Sequence, residues 1–404
     1  MPDPTSGDLP IGRRIAIHRR RLGLTQEGLA MRLHRSRSWV TKIERGERPL
    51  DSVRTLLEVA RALGVEVREL TGQPWFPEPG GPGHEAVPAM RRALLALQPG
   101  GAAEPHDLAS LERDVLVAGR LWQSEQNCYS IVVPLLPGLL NQARLAAHIA
   151  TGDDARATNR VLALLYQLTQ EVMARLGEPD LSWIAAHHSV LAAEEADDRL
   201  LAAAGAWRVC HAVLRVDDLD EAYDTATTAV ADLRRAFPEP GPEQLSVDGA
   251  LHLVAAVATA RAGAGQEALD LLDQARSTAR RLGHDRNDFW MTFGPTNVGI
   301  HDVAIALEQG NPARALRHAV AVDPSGLPSL ERRSSHHVHL AHAHSLRRED
   351  DQAVRALLVA ERLNPEGLRY NMLVRELVRS LLRRRRPISG LRALANRLHV
   401  LDGE

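Results

Sequence analysis

A chain of 404 residues exceeds one core of ordinary size, so two or more domains are expected. With 44% hydrophobic and 25% charged residues it reads as globular, and no run approaches the ~18 consecutive apolar residues that span a bilayer. The net charge of −2 is unevenly spread: residues 11–45 hold ten Arg or Lys against Glu27 and Glu44, a local +8 that leaves −10 for the rest.

A basic head on an acidic body implies that only the head meets a polyanion. The opening residues, Met1-Pro2-Asp3-Pro4-Thr5-Ser6-Gly7, lack the basic and apolar regions of a signal peptide. Two cysteines, Cys128 and Cys210, offer neither a framework of bridges nor a closed metal site. Together these features predict a cytoplasmic protein with no membrane segment.

Residues 10–72 read as a run of short amphipathic helices. Ile11, Ile15 and Leu22 recur at helical spacing, then Leu29 and Leu33, then Val40 and Ile43, and Val53, Leu56, Leu57, Ala60 and Leu63 form a clean stripe. Thr25 and Asp51 are placed as N-caps, and Gly46 and Gly64 follow helix ends. Gln73 to Gly83, rich in Pro and Gly, cannot continue a helix. A short helix is predicted over 86–98 before a second break at 99–105. This divides the chain into a head (10–72), a linker with a short helix (73–105) and a helical body (106–404).

Within the head, residues 25–46 form two short helices joined by a tight turn, the second strongly basic. Ser36 caps that second helix. At about 100° per residue, Val40 and Ile43 face the core and leave Arg37, Ser38, Thr41 and Lys42 on the opposite side, as base-reading candidates. Gln26 opens the first of these helices, where its amide and free backbone N–H groups suit a phosphate. Ser36, Arg13, Arg14, Arg45 and Arg48 are the other phosphate candidates. Trp39 is read as half-buried packing. His34 stands in the turn where αL backbone is required.

On Thr25-Gln26, Leu29-Ala30, Val40, Ile43-Glu44 and Gly46, the head resembles the XRE-type, lambda-repressor-like helix-turn-helix family. The resemblance implies a five-helix DNA-binding domain that reads double-stranded DNA. It also implies an ion pair between Glu44 and Arg19 on the first helix.

The body is predicted all-α. Small residues open each second helix at Val132, Ser182, Ala222, Ala268, Ala315 and Ala353, spaced by 50, 40, 46, 47 and 38 residues. The last unit resembles a tetratricopeptide repeat, although the spacing exceeds the usual ~34 residues; an irregular helical body stays open beside this reading. If the repeat holds, its first helices place Gln167, Glu171, Trp207, Arg208, His211, Asn297, His301, His339 and His342 on a concave surface suited to a peptide or polar small molecule. Solvent or a dimer partner is the alternative environment for any one of them.

Phe293 to Asn297 breaks a helix where a groove-lining helix starts. Five histidines between 336 and 344 lack the pairing for a tight metal site, so neither metal nor cofactor is expected. Arg383 to Arg386 reads as a solvated helix end. No P-loop, dinucleotide turn or nucleophile elbow appears, so no enzyme is expected. The whole resembles actinobacterial XRE–tetratricopeptide regulators, which implies a homodimer on a roughly palindromic operator, modulated by a small molecule or peptide. The alternative is a DNA-tethered adaptor whose repeat binds another protein.

Overall fold

The computed structural model describes residues 11–33, 35–45, 53–65, 70, 84–96, 107–384 and 387–400. The expectations for His34, Gly46, Arg48, Asp51, residues 73–83, Arg385 and Arg386 lie outside them. The chain divides into two compact units, 1–83 and 84–404. Among the described residues the only β feature is an isolated antiparallel bridge between Arg286 and Phe293, so the fold is all-α.

The first unit contains α1 (Ile11–Arg21), α2 (Gln26–Arg32), α3 (Arg37–Glu44) and α4 (Val53–Leu63). Their apolar faces meet in one core of Ile15, Leu29, Ala30, Leu33, Val40, Ile43, Val59, Ala60 and Leu63, with Leu70 added. The caps follow local chemistry. Thr25 Oγ1 accepts from Gly28 N at 3.0 Å, and Ser36 Oγ accepts from Trp39 N at 3.2 Å. Gly12 lets α1 approach α3 closely, because a Cβ there would collide with the Ile43 carbonyl.

The second unit opens with α5 (Val87–Leu95), α6 (Leu108–Ser124), α7 (Cys128–Val132) and α8 (Leu136–Ile149). Five antiparallel helix pairs follow. They are α9 (Gly152–Leu176) with α10 (Pro179–Glu195), α11 (Arg199–Arg215) with α12 (Leu219–Ala236), and α13 (Pro242–Ala262) with α14 (Gly265–Leu282). The last two are α15 (Pro295–Glu308) with α16 (Pro312–Ala319), and α17 (Leu330–Leu346) with α18 (Asp350–Leu363). Three short helices, α19 (Pro365–Tyr370), α20 (Met372–Arg383) and α21 (Leu391–Arg397), close the chain.

This is a tetratricopeptide-like helical repeat. Ser182, Ala222, Ala268, Ala315 and Ala353 each lie in the first turn of a second helix, and all are fully buried, so paired helices pack closely. Val132 departs from the pattern: it ends the short helix α7 rather than opening the second member of a pair. The long spacing arises from first helices of up to 25 residues and from the loop between α14 and α15.

α13 is long and apolar enough to cross a membrane by composition, with a mean hydropathy of 1.2. It is instead the core helix of the repeat, 83% buried in that window. It also carries polar side chains that are bonded within the fold: His252 Nε2 meets Gln274 Oε1 at 2.9 Å, and Asp248 accepts from Arg234 at 2.7 Å.

The two ends of the second unit meet. Arg175 on α9 pairs with Glu331 on α17 at 2.6 Å, Gln126 donates to the Arg362 carbonyl at 2.8 Å, and Tyr129 stacks on Tyr370 at 4.9 Å. The expectation of a solvated Arg383–Arg386 is corrected at Arg384. Its guanidinium is half-buried against Asp350 and donates to Ser345 Oγ at 3.1 Å, because it ties α20 to the last helix pair.

Candidate nucleic-acid interface and interior groove

In the first unit, one face of α3 is locked into the core by Val40 and Ile43, and the other is open. Arg37, Ser38 and Lys42 on that face are exposed, as are Ser36, Arg13 and Arg45 around it. Thr41 is half-buried, and its hydroxyl donates to Gln26 Oε1 at 3.0 Å. Gln26 in turn donates from Nε2 to Glu44 Oε2 at 2.8 Å, so its amide is engaged inside the unit while its backbone stays at the helix start. Arg14 is buried at 7% and has a partner within the fold, so it leaves the set of candidate phosphate contacts. Trp39 packs partly buried against the core, with Arg35 5.7 Å above its ring.

The ion pair implied for this unit is present. Arg19 donates from Nε to Glu44 Oε1 at 2.6 Å and from Nη2 to Oε2 at 3.0 Å, and its Nη1 reaches the Leu24 carbonyl at 2.7 Å. Burial pushes the Glu44 carboxyl upward, but hydrogen bonds from Arg19 and Gln26 and the charges of Arg19 and Arg20 hold it below the usual range.

In the second unit the candidate groove residues all fall on first helices of pairs, but they do different jobs. Glu171, Arg208, Trp207 and His211 are in contact. Arg208 donates to Glu171 Oε2 at 2.7 Å and lies 4.8 Å from the Trp207 ring, whose edge meets His211 at 4.2 Å. Trp207 itself belongs to the core. Gln167 and Asn297 are also buried; they donate to the Leu201 carbonyl at 3.3 Å and the Thr292 carbonyl at 2.6 Å. His301 holds its own helix through the Asn297 carbonyl at 2.8 Å. His339 and His342 lie one turn apart on α17. Among the described residues no cluster has the composition of a metal site.

Arg175, Arg215, Glu331 and Arg332 escaped the sequence reading. The first two were within its reach, since Arg175 follows Glu171, and Arg215 follows His211, by four residues on the same helical face. The loop before α15 escaped it too. Phe289, Trp290 and Thr292 have positive φ (48°, 58° and 51°), each costing of the order of 1–3 kcal/mol. The loop is held by Gln123 donating to the Trp290 carbonyl at 2.9 Å and Arg208 donating to the Phe289 carbonyl at 3.1 Å. The Trp290 ring lies over Gly119 and the Phe293 ring over Gly249, where any Cβ would overlap them.

Burial, reinforced by Arg332, pushes His301 down to about 4 and His339 to about 3; burial and His337 push His336 to about 4. These imidazoles are therefore neutral in the folded protein. An unfolded histidine titrates near 6.5, so between that value and about 4 the unfolded chain binds more protons. Stability is fully present above pH 6.5 and is lost as pH falls through this window. The melting temperature of the second unit is expected to drop by several degrees between pH 7.5 and 5. Calorimetry across that range checks it, and a flat profile contradicts it.

Residues 10–71 match the family model for a helix-turn-helix domain. Among solved structures the chain is similar to Bacillus thuringiensis PlcR, solved in complex with the peptide PapR7 and DNA. The TM-score is 0.31 at 12% identity, covering 87% of this chain and 98% of that one. No curated protein matches the sequence. The family match and the geometry of α2 and α3 make the first unit an XRE-like helix-turn-helix domain, the DNA-binding part of the chain.

Proposed function

We propose that the chain is a cytoplasmic, sequence-specific transcriptional regulator that binds a roughly palindromic operator as a homodimer. Its repeat unit binds a small molecule or peptide that alters operator affinity. The observation that carries the DNA-reading part is the outer face of α3, where Arg37, Ser38 and Lys42 are exposed beside a helix start flanked by Ser36. Arg37 and Lys42 are assigned to guanine O6 and N7, with Ser38 and Thr41 at neighbouring base edges. Ser36, Arg13, Arg45, Arg48 and the backbone at Gln26 are assigned to phosphates.

A dimer follows from free energy. One short helix reads few base pairs, and joining two half-sites multiplies their discrimination. The test is selection of duplexes from a random pool by the full chain, with stoichiometry measured on the winners. Two inverted half-sites about one helical turn apart, bound by two chains, are expected. A single asymmetric site bound by one chain overturns the dimer, and no enrichment overturns sequence-specific reading.

One observation favours the adaptor reading. An open groove of about 680 Å³ between α10, α11 and α12 is acidic, with Glu194, Asp197, Asp198, Glu221, Asp224 and Asp232 along it, and suits a basic protein segment. An adaptor's operator affinity would not respond to any small ligand.

A further inference from the structure

We propose that the interior of the repeat unit binds a small anion carrying two negative charges, a phosphate monoester or a dicarboxylate, through Arg215 and Arg332 with Arg208 beside them. The inference rests on reading this unit as a signal binder and specifies what the signal is chemically.

Charge is the first argument. Four guanidiniums gather here, Arg175, Arg208, Arg215 and Arg332, against two carboxylates, Glu171 and Glu331. Each carboxylate is already committed, Glu171 to Arg208 at 2.7 Å and Glu331 to Arg175 at 2.6 Å. The imidazoles of His211, His301 and His339 are neutral, so the cluster keeps two uncompensated positive charges inside an otherwise acidic unit. Neither Arg215 nor Arg332 has a side-chain partner within the described residues. Like charges brought together in a desolvated space repel strongly unless something opposes them.

Geometry is the second. The groups come from α9, α11, α15 and α17, so they converge from four helices rather than line one. Arg332 is within electrostatic reach of Arg208, His211, His301 and His339 on three of these helices. Arg215 stays open to solvent although protein lies around it, and desolvation with Arg175 nearby brings it down to about 10.

The third is unmet bonding. Arg208 spends Nη1 on Glu171 and Nη2 on the Phe289 carbonyl, but its fully buried Nε–H has no acceptor. A buried charged donor left unpaired calls for a partner. A dianion supplies both the charge and the acceptor oxygens, and guanidiniums match carboxylate or phosphate in two-pronged fashion.

The experiment titrates the full chain with inorganic phosphate, succinate and malonate at pH 7.5, with glycerol as the neutral control, following the melting temperature and operator affinity in the same samples. At least one dianion is expected to raise the melting temperature of the natural chain. Arg215→Gln combined with Arg332→Gln should weaken that binding tenfold or more, whereas Arg280→Gln on the exposed face of α14 should not. Without ligand, the double variant should melt higher than the natural chain, because it removes repulsion and no contact. This readout separates a binding role from a structural one: a double variant that melts lower overturns the proposal. So does a natural chain that no dianion stabilises, or one stabilised equally in the double variant. Anion binding with unchanged operator affinity leaves the site and sinks the signal reading.

Discussion

Replacing Arg37 with alanine is expected to cut the preference for the selected operator over random duplex by roughly tenfold or more, while affinity for random DNA changes little. A bidentate guanidinium–guanine contact gives about 1–3 kcal/mol of discrimination, and no other contact on α3 replaces it when it is lost. Arg13→Ala should behave differently. A phosphate contact lowers affinity for all sequences alike and reduces the slope of log K against log salt by about one. The pair of variants is measured by fluorescence anisotropy with operator and scrambled duplexes at several salt concentrations. Both side chains are exposed and sit outside the core, so neither substitution should disturb the fold. If both variants lose affinity uniformly, Arg37 is a phosphate contact and α3 is seated differently in the groove. If Arg13→Ala alone changes specificity, the reading face belongs to α1.

Much of the head was legible because its information is local. A cap, a helical stripe and an exposed basic face are written within a few residues of one another, and Thr25, Ser36, Val40 and Ile43 behave accordingly. The row of small residues through the repeat was legible for the same reason, since each marks a close approach between helices adjacent in the chain. What could not be read is contact between distant segments. Nothing near Glu331 announces Arg175 as its partner. Nothing near Gly119 announces the Trp290 ring, because a glycine inside a helix reads as a local cost rather than as a seat. Arg384 departs from expectation because four arginines in a row suggest solvent, while only the packing of α20 on the last helix pair shows one of them half-buried and paired. Arg215 and Arg332 were missed for a compositional reason. With one lysine against many arginines, a single arginine carries little weight until its missing partner is visible.

The largest effect on stability is expected from Glu44→Ala. Glu44 and Arg19 are nearly buried, with side-chain exposures of 6% and 9%, and they bond through both carboxylate oxygens. Removing one member strands the other's charge in the core, which typically costs 3–5 kcal/mol, about the whole stability of a unit this small. The pair also anchors a chain of hydrogen bonds that runs from Arg19 through Glu44 and Gln26 to Thr41, on the same helix as Arg37. Its loss therefore reaches the reading face. Binding to operator and to random duplex should both collapse, unlike the selective loss with Arg37→Ala. Because the head is a separate compact unit, the main melting transition of the repeat should stay where it is. Hydrogen exchange on the full chain distinguishes the outcomes. Amides of α1 to α3 are expected to lose protection in Glu44→Ala while those of α13 keep it. Glu44→Gln should fall between, since it keeps one acceptor for Arg19 but gives up the charge. Unchanged protection in α1 to α3 would mean that the apolar core of Ile15, Leu29, Val40 and Ile43 holds the head without the pair. The hydrogen-bond chain to Thr41 would then be a consequence of the fold and not one of its supports.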